Sequence, residues 1–223
     1  MKIALLVPIL VAPLLLSGCT DDGTTATPQG TENPDVAASA PIAGVTLPPD
    51  ALVDQVLRPD EVPAGMVPIL LGSGPRDAKV VASYSGTGAT ATAAAARLKA
   101  HSFQSAYVAQ YANQATAQVI VVLASRFGTP ANAAADFGDD LRGSTSGKAV
   151  PSATVGDESA VTVQTLPGTP KTAKAAATPK TDLVLVRFRR GAMTWSLAYR
   201  APSPADVQLP IQLATRLLAR TAA

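Results

Sequence analysis

A single cysteine, Cys19, directly follows an apolar segment at the N-terminus of this 223-residue chain. The segment, residues 3–16, comes after Lys2 and carries no charge, which is the layout of a secretory signal peptide. A helix that spans a bilayer needs about 20 apolar residues, whereas this segment is shorter and is interrupted by Pro8 and Pro13. A lone cysteine also cannot form a disulfide within the chain. These features predict an exported protein that holds its fold by packing alone.

The four residues that end at this cysteine, Leu16-Ser17-Gly18-Cys19, resemble the lipobox of bacterial lipoproteins. The resemblance implies that the Cys19 sulfur receives a diacylglycerol and that a signal peptide, residues 1–18, is removed. Two acyl chains anchor a protein stably. We therefore expect a lipid-anchored protein on the extracytoplasmic face of the cell membrane, with the membrane as one partner. The alternative, a buried structural thiol, is disfavoured because no apolar segment flanks Cys19 on its C-terminal side.

Two regions of different composition follow the signal segment. Residues 19–50 are rich in Thr, Pro, Gly and Asp and contain few aliphatic side chains. Such a stretch cannot bury enough apolar area to offset the entropy of ordering, so we predict a disordered, lipidated linker. As a flexible coil it has a root-mean-square length of about 30 Å. Residues 51–223 contain the regular hydrophobic patterns, which predict a single globular domain.

Charge is divided unevenly between these two regions. The whole chain has a formal net charge of +2. Residues 20–50 contain five acidic side chains and no basic one, whereas residues 51–223 contain 17 basic and 11 acidic side chains. A basic domain of this kind is attracted towards an anionic membrane or wall polymer. Salt screens that attraction at extracellular ionic strength, so the charge gives a bias and not a binding site.

Hydrophobic periodicity predicts both helices and strands in residues 51–223. Helical patterns occupy residues 52–57, 90–101 and 130–143 and the segment after residue 204. Strand patterns occupy residues 104–111, 117–127, 155–166, 183–190 and 192–200, and residues 67–71 and 79–84 are each compatible with a strand. The order predicts an α+β fold, in which a mostly antiparallel sheet is backed by helices.

Several local signals make these predictions specific. Residues 119–123 are the most β-rich run of the chain, which indicates a central strand. Thr90 or Thr92 can cap the helix predicted at residues 90–101. Thr129 and Pro130 are suited to the N-cap and first position of the next helix. The clearest hairpin turns at Arg190-Gly191, and its alternating residues predict one shared inner face. That face is formed by Val184, Val186, Phe188, Trp195, Leu197 and Tyr199.

The helix predicted after Pro130 carries three aspartates. Helical spacing places Ala134, Phe137 and Leu141 on one face. The acids are expected to face water; they are Asp136, Asp139 and Asp140.

The folded region also resembles single-domain exported proteins and sensor-like ectodomains that are common in actinobacteria. The resemblance covers about residues 52–220 and involves five segments. They are residues 57–66, Phe127 with the Ala-rich helix after it, Val155-Gly156-Asp157-Glu158-Ser159-Ala160, Val186-Arg187-Phe188-Arg189-Arg190-Gly191, and residues 213–220. The resemblance implies a binding or accessory role at the cell surface and no catalytic residue. Similar ectodomains of receptor serine/threonine kinases carry disulfides, which this chain lacks.

The sequence offers little for catalysis or metal binding. His101 is the only histidine, and no Gly-x-Ser-x-Gly motif presents a nucleophile to it. One histidine and one lipidated cysteine exclude most zinc and iron sites, so no metal or cofactor is expected. Asp157 and Glu158 are adjacent acids, which point to opposite faces of a strand and are poorly placed for paired acid–base chemistry. A turn or a salt bridge to a neighbouring strand is the preferred role for this pair.

A group of arginines in the last hairpin is the best candidate for an anion-binding site. Arg187, Arg189 and Arg200 are predicted on the outward face of the sheet, with Arg190 at the turn. Guanidinium groups hold phosphate or carboxylate bidentately. The alternative is a solvated face with salt bridges to Asp157, Glu158 or Asp182. Nucleic acid is not an expected partner, because the chain is exported and aromatic side chains do not alternate with the arginines.

The sequence therefore predicts a non-catalytic binding or accessory module of the cell envelope. Its partner is an anionic envelope component or another envelope protein, and replacing Arg187, Arg189 and Arg200 by Ala is expected to weaken binding without unfolding. Two alternatives stay open. One is a carrier that holds an apolar or lipid ligand between sheet and helices. The other is an exported hydrolase, which requires a deep pocket lined by Asp157, Glu158 or Ser159 near His101.

Overall fold

The computed structural model describes residues 52–143, 147–169 and 178–221. The signal peptide, Cys19 and the linker lie outside these residues, so the lipidation, the cleavage and the disorder of residues 19–50 stay predictions. Within the described residues, no helix is long and apolar enough to cross a bilayer.

Four α-helices and eight strands occur in the described part of the chain. The helices are α1 (Ala78–Ser83), α2 (Ala89–Ala100), α3 (Pro130–Gly143) and α4 (Gln208–Thr221). The strands are β1 (Val67–Pro68), β2 (Gly74–Arg76), β3 (Phe103–Asn113), β4 (Gln118–Phe127), β5 (Lys148–Ala149), β6 (Glu158–Leu166), β7 (Thr181–Arg190) and β8 (Met193–Pro202). Two 3₁₀ turns, Leu52–Gln55 and Leu70–Gly72, complete the elements.

The strands form one antiparallel sheet in the order β1-β3-β4-β8-β7-β6-β5, and β2 also pairs with β3. The α+β class predicted from the sequence is thereby confirmed. β4 contains the β-rich run 119–123 and has a neighbour on each side, as expected for an interior strand. β7 and β8 form the predicted hairpin around Gly191.

One face of the sheet, which we call the α4 face, carries the larger core. It includes Val122, Val186 and Leu197, which lie side by side on adjacent strands and are fully buried. Phe188 and Trp195 stack on this face with ring centroids 5.1 Å apart. The predicted inner face of the hairpin is therefore confirmed. Helix α4 and the 3₁₀ turn Leu52–Gln55 cover this core.

The opposite face, which we call the α3 face, carries a smaller core under helices α1, α2 and α3. Leu123 of β4, Ser196 of β8 and Arg187 of β7 lie side by side on this face. Phe103 and Phe127 meet edge to face here, with centroids 5.9 Å apart.

An arginine near the end of α4 fastens that helix to the first described segment. Arg220 Nε donates to Glu61 Oε1 at 2.7 Å, and Arg220 also donates to the carbonyl oxygens of Val56 and Asp54 at 2.6 and 2.5 Å. One side chain thus satisfies a half-buried carboxylate and two backbone acceptors. Two of the segments singled out in the sequence, residues 57–66 and 213–220, are in contact for this reason.

Three local expectations need correction. Residues 79–84 are not a strand, because Asp77 caps helix α1 by accepting a hydrogen bond from the Val80 amide at 2.8 Å. Residues 67–71 contribute only the two-residue β1 before the chain enters a 3₁₀ turn. Helix α2 has Gly88 as its N-cap and not a threonine. By contrast, the Thr129 cap of α3 is confirmed by its bond from the Asn132 amide at 3.1 Å.

Candidate functional site

The structure does not bring the four predicted arginines into one site. Arg187, Arg189 and Arg200 lie on the α3 face, as expected, but Arg190 lies on the α4 face. Arg187 is opposite Ser196, four residues along β8 from Arg200, a distance of about 13 Å at the rise of a strand. Arg200 instead donates to Thr181 Oγ1 at 3.2 Å.

Arg187 and Arg189 are occupied by carboxylates of the protein itself. Arg187 is 9% exposed and pairs with Asp140 of α3 at 3.1 Å. Arg189 pairs with Asp157 at 3.2 Å and with Glu158 at 2.6 Å. The salt-bridge alternative is confirmed for Arg189. Because Arg187 is buried and paired with Asp140, we expect its replacement by Ala to destabilise the domain, which the prediction made from the sequence did not include.

Asp157 and Glu158 do not point apart, because only Glu158 belongs to β6. Asp157 precedes the strand, and its carboxylate also accepts a hydrogen bond from the Gly191 amide at 2.8 Å. This acid therefore fixes the turn between β7 and β8.

The expectation that the aspartates of α3 face water is wrong for Asp136, whereas the side chains of Asp139 and Asp140 are 37% and 33% exposed. Asp136 is 6% exposed and pairs with Arg97 of α2 at 3.0 Å, and Asp140 lies between Arg97 and Arg187. Burial raises the pKa of Asp136, although Arg97 opposes that rise. Burial also lowers the pKa of Arg187. A layer of ion pairs therefore joins α2, α3 and β7, and the α3 sequence alone contains no sign of the basic partners.

His101 belongs to the same layer of ion pairs. Its Nε2 atom lies 2.8 Å from Asp139 Oδ2, and hydrogen bonds from His101 and Arg142 lower the pKa of Asp139. Ser159 lies on the α4 face, opposite Phe188, and its hydroxyl accepts a hydrogen bond from the Val155 amide. Sheet and core separate the two side chains, so Ser159 and His101 do not line one pocket.

A surface pocket on the α4 face brings together a different pair of arginines. Arg126 of β4 and Arg190 of β7 flank Met193 of β8 in one row across three strands. The pocket has a volume of about 380 Å³. Its lining consists of Gln55, Arg126, Arg190, Gly191, Met193, Trp195 and Thr221.

The two arginines of this pocket differ from Arg187, Arg189 and Arg200 in having no partner for the guanidinium group among the described residues. In the described part of the chain, neither Arg126 nor Arg190 has an ion-pair or hydrogen-bond partner for its guanidinium group. Their backbones are two strands apart, or about 10 Å. Two positively charged side chains therefore line the pocket together with the apolar side chains of Met193 and Trp195, which we call its floor.

Contacts with neighbouring residues fix the positions of Trp195 and of the turn that carries Arg190. The Trp195 indole stacks on Phe188 and donates its N–H to the Gln55 carbonyl at 2.7 Å. Asp157 fixes the turn that carries Arg190. The arrangement can accept an anionic group between the guanidiniums and an apolar group against the floor. Because it contains two charged groups, it is not the wholly apolar cavity that the carrier alternative predicts.

Metal chemistry has no candidate in the described residues, since no group of three or more His, Cys, Asp or Glu side chains there is arranged to hold an ion. Arg190 was among the residues predicted from the sequence. Arg126 was missed, because its place beside Met193 depends on the register between β4 and β8, which are distant in the sequence.

Fold and pocket together define an α+β domain with an arginine-flanked surface pocket. No protein-family model matches the sequence, and no curated protein matches it. A solved structure, the extracellular domain of PknH from Mycobacterium tuberculosis, is similar to this chain with a TM-score of 0.46 and 10% sequence identity. The similarity covers 75% of this chain and 93% of that domain. At this TM-score and identity, the similarity carries no argument about function.

Proposed function

We propose that this protein is a lipid-anchored, non-catalytic binding module of the bacterial cell envelope. Its ligand is an anionic envelope component that also has an apolar part, and its binding site is the Arg126–Arg190 pocket. The signal-like segment and the lipobox-like residues that end at Cys19 support the envelope location.

The observation that carries the proposal is the pairing of two unneutralised arginines with an apolar floor. A hydrogen bond to a charged group contributes about 1.5–3 kcal/mol to the free energy of the interaction. Arg forms bidentate hydrogen bonds with phosphate and carboxylate. The other arginines of the hairpin are neutralised by acids of the domain or held by Thr181. Among the arginines of β4, β7 and β8, Arg126 and Arg190 are therefore the two whose guanidinium groups have no partner in the described residues and remain available to an external anion.

The proposal is tested by equilibrium dialysis with octyl phosphate and with octanol, its uncharged counterpart. We expect octyl phosphate to bind and the double variant R126Q/R190Q to bind it at least about tenfold more weakly, since tenfold corresponds to about 1.4 kcal/mol. Neither side chain supports the core, so the variant keeps the circular dichroism spectrum of the unaltered protein.

The matched control is R216Q, which removes one exposed arginine from α4. It should bind octyl phosphate as the unaltered protein does. Equal binding by R126Q/R190Q and R216Q contradicts the proposal. Equal binding of octanol and octyl phosphate also contradicts it, and that result favours the carrier of an apolar ligand.

A further inference from the structure

Two adjacent leucines project from the edge of the sheet at the 3₁₀ turn before β2. Leu71 is fully exposed and Leu70 is 66% exposed, and Val67 beside them is 56% exposed. Single exposed apolar side chains are ordinary on protein surfaces, but neighbouring ones indicate an interaction site. We call Leu70 and Leu71 the leucine tip.

Hydrogen bonds hold the leucine tip in place. Ser73 Oγ donates to the Ile69 carbonyl at 2.8 Å and accepts from the Gln110 amide at 3.0 Å. Gln110 Nε2 and the Arg76 guanidinium both donate to the Gly72 carbonyl, at 3.0 and 2.7 Å. The residues on either side of the tip are thus hydrogen-bonded to β2 and β3, while the two leucine side chains are exposed. The fold presents these leucines and does not merely leave them in a loose loop.

The charge around the leucine tip suits an anionic surface. Residues 62–76 contain one basic side chain, Arg76, and no acidic one. Lys79 is exposed on α1. Asp77, the nearest acid in the sequence, uses its carboxylate to cap α1. An apolar tip with basic neighbours is the pattern of a segment that enters the headgroup region of an anionic bilayer.

The position at which the linker joins the domain points to the same surface. The 3₁₀ turn Leu52–Gln55 is the first described element, and it packs against β2 and β3. β2 begins three residues after the tip, at Gly74, and pairs with β3. Given the anchor at Cys19 proposed above, on which this inference rests, the predicted linker enters the domain beside this edge of the sheet, which brings its leucines within reach of the bilayer.

We propose that the leucine tip inserts into the apolar layer of the anionic membrane to which the protein is anchored, and so sets the orientation of the domain. Burial of the two leucine side chains in the apolar layer favours insertion. Two leucines alone give weak binding, but an anchored domain needs only a weak second contact because its effective concentration at the membrane is high. This inference is independent of any ligand in the arginine pocket.

The test uses the full chain coupled through Cys19, the only cysteine, to a maleimide lipid in phosphatidylglycerol–phosphatidylcholine vesicles. The phosphatidylcholine carries bromine on its acyl chains, which quenches a nearby indole. Leu71→Trp is the reporter and Ala149→Trp, exposed on β5 at the opposite edge of the sheet, is the control. The emission of the unaltered chain, due to Trp195 alone, is subtracted.

We expect the indole at position 71 to lose most of its emission and the indole at position 149 to lose little. Because the Leu71 side chain is fully exposed, its replacement leaves the domain folded. Coupling through Cys19 makes the result independent of whether the cell lipidates that residue. Equal quenching at the two positions, or none at position 71, overturns the proposal.

Discussion

At the scale of single residues, the most informative feature is the burial of charge between α2, α3 and β7. Asp136 is nearly inaccessible, and its pKa is raised because the loss of hydration outweighs the attraction of Arg97. A pair of this kind adds little net stability but becomes costly when one partner is removed. Its role is to fix how α2 lies on α3.

Arg97→Met is expected to destabilise the domain by about 3 kcal/mol, because Asp136 then remains buried without its counter-ion. The pKa of Asp136 is already raised in the folded state, so the penalty is present at neutral pH, where the folded protein must hold the charged form. It falls as the pH drops through the folded pKa and the acid becomes protonated. Urea unfolding at pH 7 and at about pH 4 measures both effects.

The matched control is Arg142→Met, which removes an exposed arginine paired with Asp139. Exposed pairs contribute at most about 1 kcal/mol. If the two variants lose the same stability at pH 7, the ion-pair layer has no special role in the fold.

At the scale of the secondary-structure element, the N-terminal residues of helix α3 determine where the helix begins. Thr129 accepts a hydrogen bond from the Asn132 amide, and Pro130 occupies the first position of the helix. Both features were predicted from the sequence because N-cap chemistry is local. The same locality explains why the β7–β8 hairpin was predicted correctly from its alternating side chains.

Thr129→Ala is expected to cost about 1 kcal/mol, the usual effect of removing an N-cap hydroxyl. Thr129→Ser keeps the hydroxyl and should retain most of the stability. Chemical unfolding of the two variants makes the comparison. Equal losses for Ala and Ser show that the capping bond does not stabilise α3.

Elements whose local signals conflict were predicted less well. Residues 79–84 contain Val80, Val81 and Tyr84, which favour a strand. The structure makes a helix there, because Asp77 caps it and because Val81 and Ala82 pack into the core below the helices. β-propensity depends on packing partners, which the segment itself does not reveal.

At the scale of the whole molecule, the hydrogen bonds of Arg220 connect the two ends of the described chain, and their contribution to stability can be measured. Arg220 joins α4 to Glu61 and to two backbone carbonyls of the first segment. Arg220→Lys is expected to cost about 1–3 kcal/mol, because one ammonium group cannot satisfy acceptors that a planar guanidinium reaches together. Thermal unfolding measures the loss. A Lys variant as stable as the unaltered protein contradicts this role.

The fold class could be predicted from the sequence, whereas only one of the two arginines of the pocket could be. Alternation and helical spacing identify strands and helices, and together these define an α+β domain. The site depends on which strands are neighbours and in which register. Arg190 was found because it lies at an obvious turn. Arg126 was not found, and the partner of Arg187 was not foreseen, because the residues beside them are distant in the sequence. The partners of Arg189, Asp157 and Glu158, had been named as the alternative to an anion site.

The central claim is that an anionic amphiphile occupies the Arg126–Arg190 pocket, and Trp195 reports on that pocket directly. Trp195 lines the pocket and is the only tryptophan of the chain. Titration with octyl phosphate is expected to change the Trp195 emission with the concentration dependence found by dialysis, and R126Q/R190Q should shift that dependence at least about tenfold. Binding that leaves Trp195 emission unchanged, or that survives R126Q/R190Q unaltered, contradicts the claim.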